Sequence, residues 1–330
     1  MSLKKIVYLF GAGATHAEIM NSESTPDETF RDNYGLLIAS VSKRVIKKAQ
    51  RQPWFKKNES VFASARGEFN IELFISLFEL NEMPDYTISS LKKLVQEDIK
   101  RVLSNNRRQK FYLHKALFEL HNKIEDREKL AGIISLNYDN ILDEAYEKIV
   151  GSKPNYCLTS EGADDRPPLL KLHGSFSWNR IKIYEKQKKI SIIPIGVNKN
   201  YLFPPYNFIW GRAYELLVKC DILRIVGCSL NQNDIGLIDL LFKAHRERGK
   251  SFEIQIIDFQ PANGHHHIKR NYGFFPGIVE PRKIEETLIA DELISDYDVG
   301  NPFRIWLKAK AEKMLQQSEI NNTKFLKKCF

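Results

Sequence analysis

Five short clusters in this sequence combine residue types that do chemistry. The first, Gly11-Ala12-Gly13-Ala14-Thr15, follows the apolar run Lys4 to Phe10 at once. Glycines let backbone amides approach a pyrophosphate, and the start of a following helix favours negative charge. The third position of a dinucleotide fingerprint falls on His16, so the usual pattern is incomplete and an ordinary tight turn stays open. The second cluster is Asn137-Tyr138-Asp139-Asn140, between the apolar run Ala131 to Leu136 and a helical segment. Asp and Asn are favoured helix N-caps, which accounts for Asp139 without any ligand; Asn137 lies two residues earlier, still near the strand. The third, Lys171-Leu172-His173-Gly174-Ser175, holds a histidine beside a glycine, a candidate general base or a satisfied structural residue. The fourth runs from Val226-Gly227-Cys228-Ser229 to Asp234, and the fifth is Asp258 at the end of Phe252 to Phe259, placed like the acidic residue that accepts ribose hydroxyls.

Strands must position these clusters. Apolar, β-branched runs at Lys4 to Phe10, Ala131 to Leu136, Ile190 to Ile195, Ile222 to Val226 and Phe252 to Phe259 predict strands. Helices are expected at Asn140 to Val150, Phe208 to Lys219 and Asp234 to Arg248. Strands alternating with helices predict an α/β fold, a Rossmann-type, doubly wound and mostly parallel sheet whose polar strand ends face one ligand crevice. Between residues 30 and 127 the apolar period is helical throughout. Its stripes are Leu36, Leu37, Val41, Val45 and Ile46, then Leu73, Leu77 and Leu80, then Leu91, Leu94, Val95, Ile99 and Val102, then Phe111, Leu113, Leu117, Leu120 and Ile124. The expected organisation is therefore a core of residues 1–29 and 128–300, a helical insertion at 30–127, and a C-terminal helix with a basic end at 301–330 carrying Trp306.

Composition narrows the class. The chain has 330 residues with 43% hydrophobic and 28% charged, which excludes intrinsic disorder and a disulfide-stapled miniprotein. Cys157, Cys220, Cys228 and Cys329 form no C-x-x-C pair, arguing against a zinc ribbon and pointing to reduced thiols in the cytoplasm. No apolar segment is long enough for a membrane helix. The excess of basic residues, with Lys43, Arg44, Lys47, Lys48, Arg51, Lys56 and Lys57 beside Trp54 and Phe55, allows nucleic-acid contact, although solvated helix faces explain most such runs. His265, His266 and His267 are adjacent in a loop after Asn263-Gly264 and cannot all face one metal.

The order of these clusters, G-A-G-A-T, a helical insert, N-Y-D, L-H-G-S, G-C-S-L and I-I-D-F-Q-P, resembles the sirtuin fold over residues 4 to 262. More closely it is similar to the sirtuin-like NAD-hydrolase family of prokaryotic anti-phage defence. The resemblance implies that Gly11, Ala12, Gly13 and Thr15 bind NAD around its pyrophosphate and that Asn137 and Asp139 line the nicotinamide ribose pocket. It makes His173 and Asn137 the catalytic pair, sets Gly227 and Ser229 on the phosphate and adenosine side, and places Asp258 on the adenine ribose. Asn21 to Arg31 would be the cofactor loop, but two residues separate Pro26-Asp27 from Phe30-Arg31, a departure that leaves the role of Arg31 open. Sirtuin deacetylases also carry a zinc cysteine quartet that this chain lacks, so the resemblance implies NAD cleavage, with NAD as substrate and no metal, rather than deacylation. It further implies a homo-oligomer restrained by a separate partner: a HerA-type ATPase, an Argonaute-type protein or a nucleotide-sensing subunit. A non-catalytic subunit binding NAD or ADP-ribose within a nucleic-acid complex is the alternative.

Overall fold

A strand whose side chains are buried on both faces must lie inside a sheet covered by helices on both sides. The computed structural model shows this directly. It describes residues 3–21, 28–57, 70–105, 114, 128–160, 166–180, 192–196, 199, 201–230, 234–248 and 253–257. In chain order the regular elements are β1 (Lys4–Phe10), α1 (Ala12–Asn21), α2 (Glu28–Tyr34), α3 (Ile38–Ala49), α4 (Pro53–Lys56), α5 (Ile71–Leu80) and α6 (Asp85–Asn105). There follow β2 (Glu128–Ser135), α7 (Ile141–Val150), β3 (Leu169–Lys171), α8 (Tyr206–Lys219), β4 (Ile222–Val226), α9 (Ile235–Arg248) and β5 (Glu253–Ile257). Ile6, Tyr8 and Phe10 of β1 join one buried cluster with Ala14, Ala17, Ile141, Leu142, Ala145 and Tyr146, whereas Val7 and Leu9 join another with residues of α8 and α9. The five strands run in the order β3-β2-β1-β4-β5, every neighbouring pair parallel. The expected Rossmann-type α/β fold is the observed one.

One expected strand is different. Of the run Ile190 to Ile195, the described residues 192–195 form no sheet strand; Ile192 makes a single antiparallel bridge to Gly174, and the Ile193 N–H donates to the His173 carbonyl at 2.8 Å. The run is used as a cover over the end of β3. Its place at the sheet edge is taken by the three residues of β3 itself.

The insertion is helical in every described part and builds its own core from Val41, Val45, Ala49, Phe55, Ile71, Ile75, Phe78, Leu91 and Val95. The stripe expected to pack at Leu73, Leu77 and Leu80 is instead the exposed face of α5, at 46%, 45% and 65% exposure. With I-E-L-F-I-S-L-F-E-L apolar almost all round, the 3.6-residue period fits either face, and the longer Ile71, Ile75 and Phe78 side took the core. Phe78 is buried with them. The stripes at Phe111 to Ile124 and the tail 301–330 lie outside the described residues.

A buried ionic node fastens α3 to α6. Asp98, fully buried, accepts from Arg44 Nε at 2.8 Å and from Lys48 Nζ at 2.8 Å. Burial opposes ionisation of this carboxyl, and the hydrogen bonds from Arg44 and Lys48 outweigh it, holding the group below the usual range. A depressed carboxyl adds stability above its unfolded pKa and loses it as pH falls through the folded one. Asp98→Ala is expected to destabilise the insertion by about 3 kcal/mol, the lower end for removing one partner of a buried pair, because Lys48 remains partly solvated. Urea melts read with a probe in α3 at pH 7 and pH 3 check this. The deficit should be large at the first pH and shrink at the second.

Candidate active site

Because all five strands are parallel, the loops after β1, β2, β3 and β4 emerge at the same edge of the sheet. The strand order reverses across β1 and β4, and a crevice opens outside the strand ends at such a point. The Gly11-Gly13 turn and Gly227 flank that point, with Asn137 and His173 following the next two strands.

The glycines are needed there for close approach. The Gly11 N–H donates to the Val226 carbonyl at 2.9 Å and the Gly13 N–H to the Gly227 carbonyl at 2.8 Å. A Cβ added at Gly13 would lie 2.7 Å from Gly227 O, and one at Gly11 would lie 2.6 Å from the same atom. These two amides are thus committed inside the protein, and the turn's contribution to an anion is the N-terminal end of α1. His16 occupies the place of the third fingerprint glycine. Its Nδ1 accepts from the Leu36 N–H at 3.2 Å, and its pKa is lowered to about 4, first by burial and then by Arg31 and Arg44. A neutral ring there ties α1 to the start of the insertion, where a glycine would only permit packing.

Asn137 and Asp139 come together with Thr15 in a buried hydrogen-bonded set. The Asn137 side-chain amide donates to the Gly11 carbonyl at 2.9 Å and to Thr15 Oγ1 at 2.9 Å, and Thr15 Oγ1 donates to Asp139 Oδ2 at 2.9 Å. A backbone carbonyl can only accept, so the amide nitrogen must face Gly11 and the Oδ1 of Asn137 is left as an acceptor. The other Asp139 oxygen accepts from the Ile141 N–H at 3.0 Å, but the N-cap of α7 is Asn140, whose side chain makes no cap bond, so Asp139 is not the helix cap that its residue type allows. Asp139 thus holds the first amide of α7 and anchors Thr15. Beneath it the buried Lys171 donates to the Asp139 carbonyl and to Asp143 Oδ2, the latter at 2.7 Å, which fixes the loop from below.

His173 stands two residues after β3 among side chains that its own sequence neighbourhood does not announce. Its ring lies 6.3 Å from that of Tyr138 and 6.4 Å from that of Trp210. Its Nε2 is buried without a hydrogen-bond partner among the described residues, 3.5 Å from Asp234 Oδ2. Lys199 Nζ is 3.1 Å from Asp234 Oδ1 and 3.5 Å from Glu72 Oε1 of α5. Burial lowers the His173 pKa to about 4; Asp234 pulls it up, Lys199 pushes it down, and a hydrogen bond with the Leu136 backbone pulls it up. The imidazole is therefore neutral at neutral pH and able to accept a proton, as a weaker base than a free histidine. Asp234, Lys199 and Glu72 were not among the residues expected at the site. The one sequence signal for them is Asp234 itself, a cap residue directly before the apolar period of α9.

Residues 131–272 of the chain match the SIR2-like domain family. Over that stretch the chain is similar to this family. That stretch contains β3, β4, β5 and most of β2, together with Asn137, Asp139, His173, Gly227, Ser229 and Asp258. Comparison with curated proteins returns no relative. Among solved structures, a Sir2 homologue–NAD complex is 16% identical, covering 80% of this chain and 81% of that one at a TM-score of 0.35. A Sir2 homologue mutant in complex with ADP-ribose is 17% identical, covering 96% of this chain and 94% of that one at a TM-score of 0.34.

Gly227 has φ +58°, which a glycine adopts freely, and Ser229 is in the loop after it. Asp258, His265 to His267 and Cys329 lie outside the described residues, as do residues 22–27 of the expected cofactor loop. Arg31 is on α2. Cys157, Cys220 and Cys228 are buried and form no disulfide among the described residues, and burial pushes Cys220 up to about 12. Of the basic stretch, Lys43 pairs with Asp32 and both Arg44 and Lys48 with Asp98, so these three cations are already engaged within the chain. No described helix is long and apolar enough to cross a membrane.

Proposed function

We propose that this protein cleaves the nicotinamide N-glycosidic bond of NAD, releasing nicotinamide and ADP-ribose. The observation that carries the reading is the neutral, buried His173 whose Nε2 has no hydrogen-bond partner among the described residues, facing the same sheet edge as the Asn137 acceptor within the stretch similar to the SIR2-like domain family. Burial of an unpartnered polar atom is costly, and a ligand hydroxyl or water would satisfy it.

The residues divide the work. The N-terminal end of α1 and the loop at Gly227 lie where a pyrophosphate would be held, and Ser229 and Asp258 would take the adenosine side. Bond cleavage passes through an oxocarbenium-like state in which the electron pair leaves with nicotinamide. Asn137 Oδ1 orients a ribose hydroxyl or the attacking water, its amide locked by Gly11 and Thr15 so that no reorganisation is needed. His173 accepts the proton of that hydroxyl or water at Nε2 and passes it to solvent.

In the cell this activity serves as the effector of an anti-phage system that depletes NAD, held back until a partner assembles with it. The exposed apolar face Leu73, Leu77 and Leu80 of α5 supports an insertion that meets other protein. Incubating the purified chain with NAD, alone and with the proteins encoded beside its gene, tests the whole reading. Nicotinamide release is expected to be slow alone and at least about tenfold faster in the assembly, since apparent affinity scales with the competent fraction. Equal fast rates would show an unrestrained enzyme. NAD binding without turnover in either condition would make the chain a regulatory subunit.

A further inference from the structure

Between the helical insertion and the sheet, four charged or ionisable side chains stand in a row: Glu72, Lys199, Asp234 and His173. Each comes from a different element. Glu72 is in the first turn of α5, a turn fixed by Asn70, whose side chain accepts from the Glu72 and Leu73 N–H groups at 3.0 and 3.2 Å. Lys199 follows the segment that bridges to Gly174, Asp234 directly precedes α9, and His173 lies in the turn two residues after β3. Lys199 and Asp234 have side chains only 9% and 10% exposed, so the interactions along the row are little screened by solvent.

We propose that Asp234 is a positioning residue for His173, and that Lys199 and Glu72 extend this pair into the helical insertion, so that the insertion sets the charge facing the histidine. The inference rests on the reading of His173 as the proton acceptor in NAD cleavage. The separation of 3.5 Å between Nε2 and Oδ2 is longer than a hydrogen bond, so the contact gains most when the ring becomes charged. A carboxylate that strengthens its hold as a proton arrives favours the protonated ring, the form that exists after proton transfer. Lys199 opposes this by neutralising Asp234, and Glu72 draws Lys199 toward the insertion. A displacement of α5 would change how much of the Lys199 charge Asp234 feels. The same row thereby links the exposed face of α5 to the site.

The plainer role for Asp234 is helix capping, since its carboxylate takes a hydrogen bond from the Leu237 backbone. Asn caps as well as Asp, so Asp234→Asn keeps that role and removes only the charge. The groups facing the ring from other elements are Tyr138 and, beyond it, Tyr206; both are buried phenols whose ionisation is pushed up, so neither titrates in the range tested.

The test uses the full-length protein. The His173 ring is followed by NMR titration, its signal assigned from its loss in His173→Gln, in the wild type, Asp234→Asn and Lys199→Met. The expected result is a shift of the His173 midpoint downward in Asp234→Asn and upward in Lys199→Met, each on the order of one pH unit for a charge at this range. Opposite shifts are something a purely structural pair would not produce. In parallel, Asp234→Asn is expected to lower kcat for nicotinamide release about tenfold with KM for NAD little changed, and Glu72→Gln to lower kcat slightly, because Lys199 then rests more fully on Asp234. Unmoved midpoints in both variants, or shifts of the same sign, overturn the proposal. Should Asp234→Asn fail to fold, the direction in Lys199→Met decides alone. A wild type that releases no nicotinamide overturns the NAD-cleavage reading instead, and the titration still settles whether the row governs His173.

Discussion

His173→Ala is expected to reduce nicotinamide release from NAD by about 10²- to 10⁴-fold, the usual contribution of a positioned base. Circular dichroism and the melting temperature should stay near those of the wild type. The separation is expected because, among the described residues, the ring is held by a hydrogen bond with the Leu136 backbone and its Nε2 has no partner to lose. Asn137→Ala should cost a similar factor in turnover with a larger fall in stability, since its amide closes two hydrogen bonds that join β1, α1 and the loop after β2. Asn137→Asp separates the two effects. It keeps the shape but places a carboxylate against the Gly11 carbonyl, so turnover should fall as far as in the alanine variant and stability further. The pH dependence follows from the lowered His173 pKa of about 4. The ring stays a proton acceptor from neutral pH down toward that value, so kcat/KM should hold flat through pH 6 and fall only as pH approaches 4, where an unperturbed histidine would already have lost half its activity at 6.5. Turnover at wild-type rate by His173→Ala would remove the histidine from the chemistry.

What the sequence could disclose followed distance along the chain. β1 and β4 stand at the expected bounds, Lys4–Phe10 and Ile222–Val226, because a continuous apolar run ending in glycine is a local signal for a buried parallel strand. The position of Asn137 at a strand end was legible for the same reason, whereas β3, the three-residue strand before His173, was not among the expected strands. Ile190 to Ile195 carried the same local signal and is not a sheet strand over its described residues, since pairing is decided by which edge is free and not by propensity. Asp234 stood at the end of the fourth cluster without an assigned role, and Lys199 and Glu72 gave no signal at all. They are separated by 35 to 162 positions, look like ordinary surface charges or caps, and acquire meaning only when the insertion folds against the sheet. Thr15 was expected among the cofactor-binding residues; what the sequence did not disclose is that its hydroxyl meets Asn137 and Asp139, contacts across 122 and 124 positions.

Gly227→Ala is expected to be the most damaging single methyl group in the sheet-edge loops. Three independent constraints meet at this residue. Its φ of +58° is left-handed, which costs an L-residue about 1–2 kcal/mol. An added Cβ would lie 2.2 Å from the Ala14 nitrogen and 2.8 Å from the Gly13 Cα, backbone atoms that cannot rotate away. The Gly227 carbonyl also accepts the Gly13 N–H at 2.8 Å, so relief by moving the loop would break the bond that seats the turn before α1. Overpacking adds about 1–3 kcal/mol, for a total of about 2–5 kcal/mol. Any displacement that relieves it must push α1 away from β4. Thr15, and through it Asn137, would move with the helix, because Thr15 Oγ1 joins both polar side chains of the loop after β2. The variant should therefore lose turnover beyond what its fraction folded explains. Urea denaturation gives the first quantity and nicotinamide release per folded molecule the second. Gly211→Ala serves as the control, because a Cβ there on α8 meets nothing within 4 Å, and it should melt like the wild type or slightly higher. If Gly227→Ala kept wild-type stability and turnover, the close approach of the two glycine turns would not be what shapes the site.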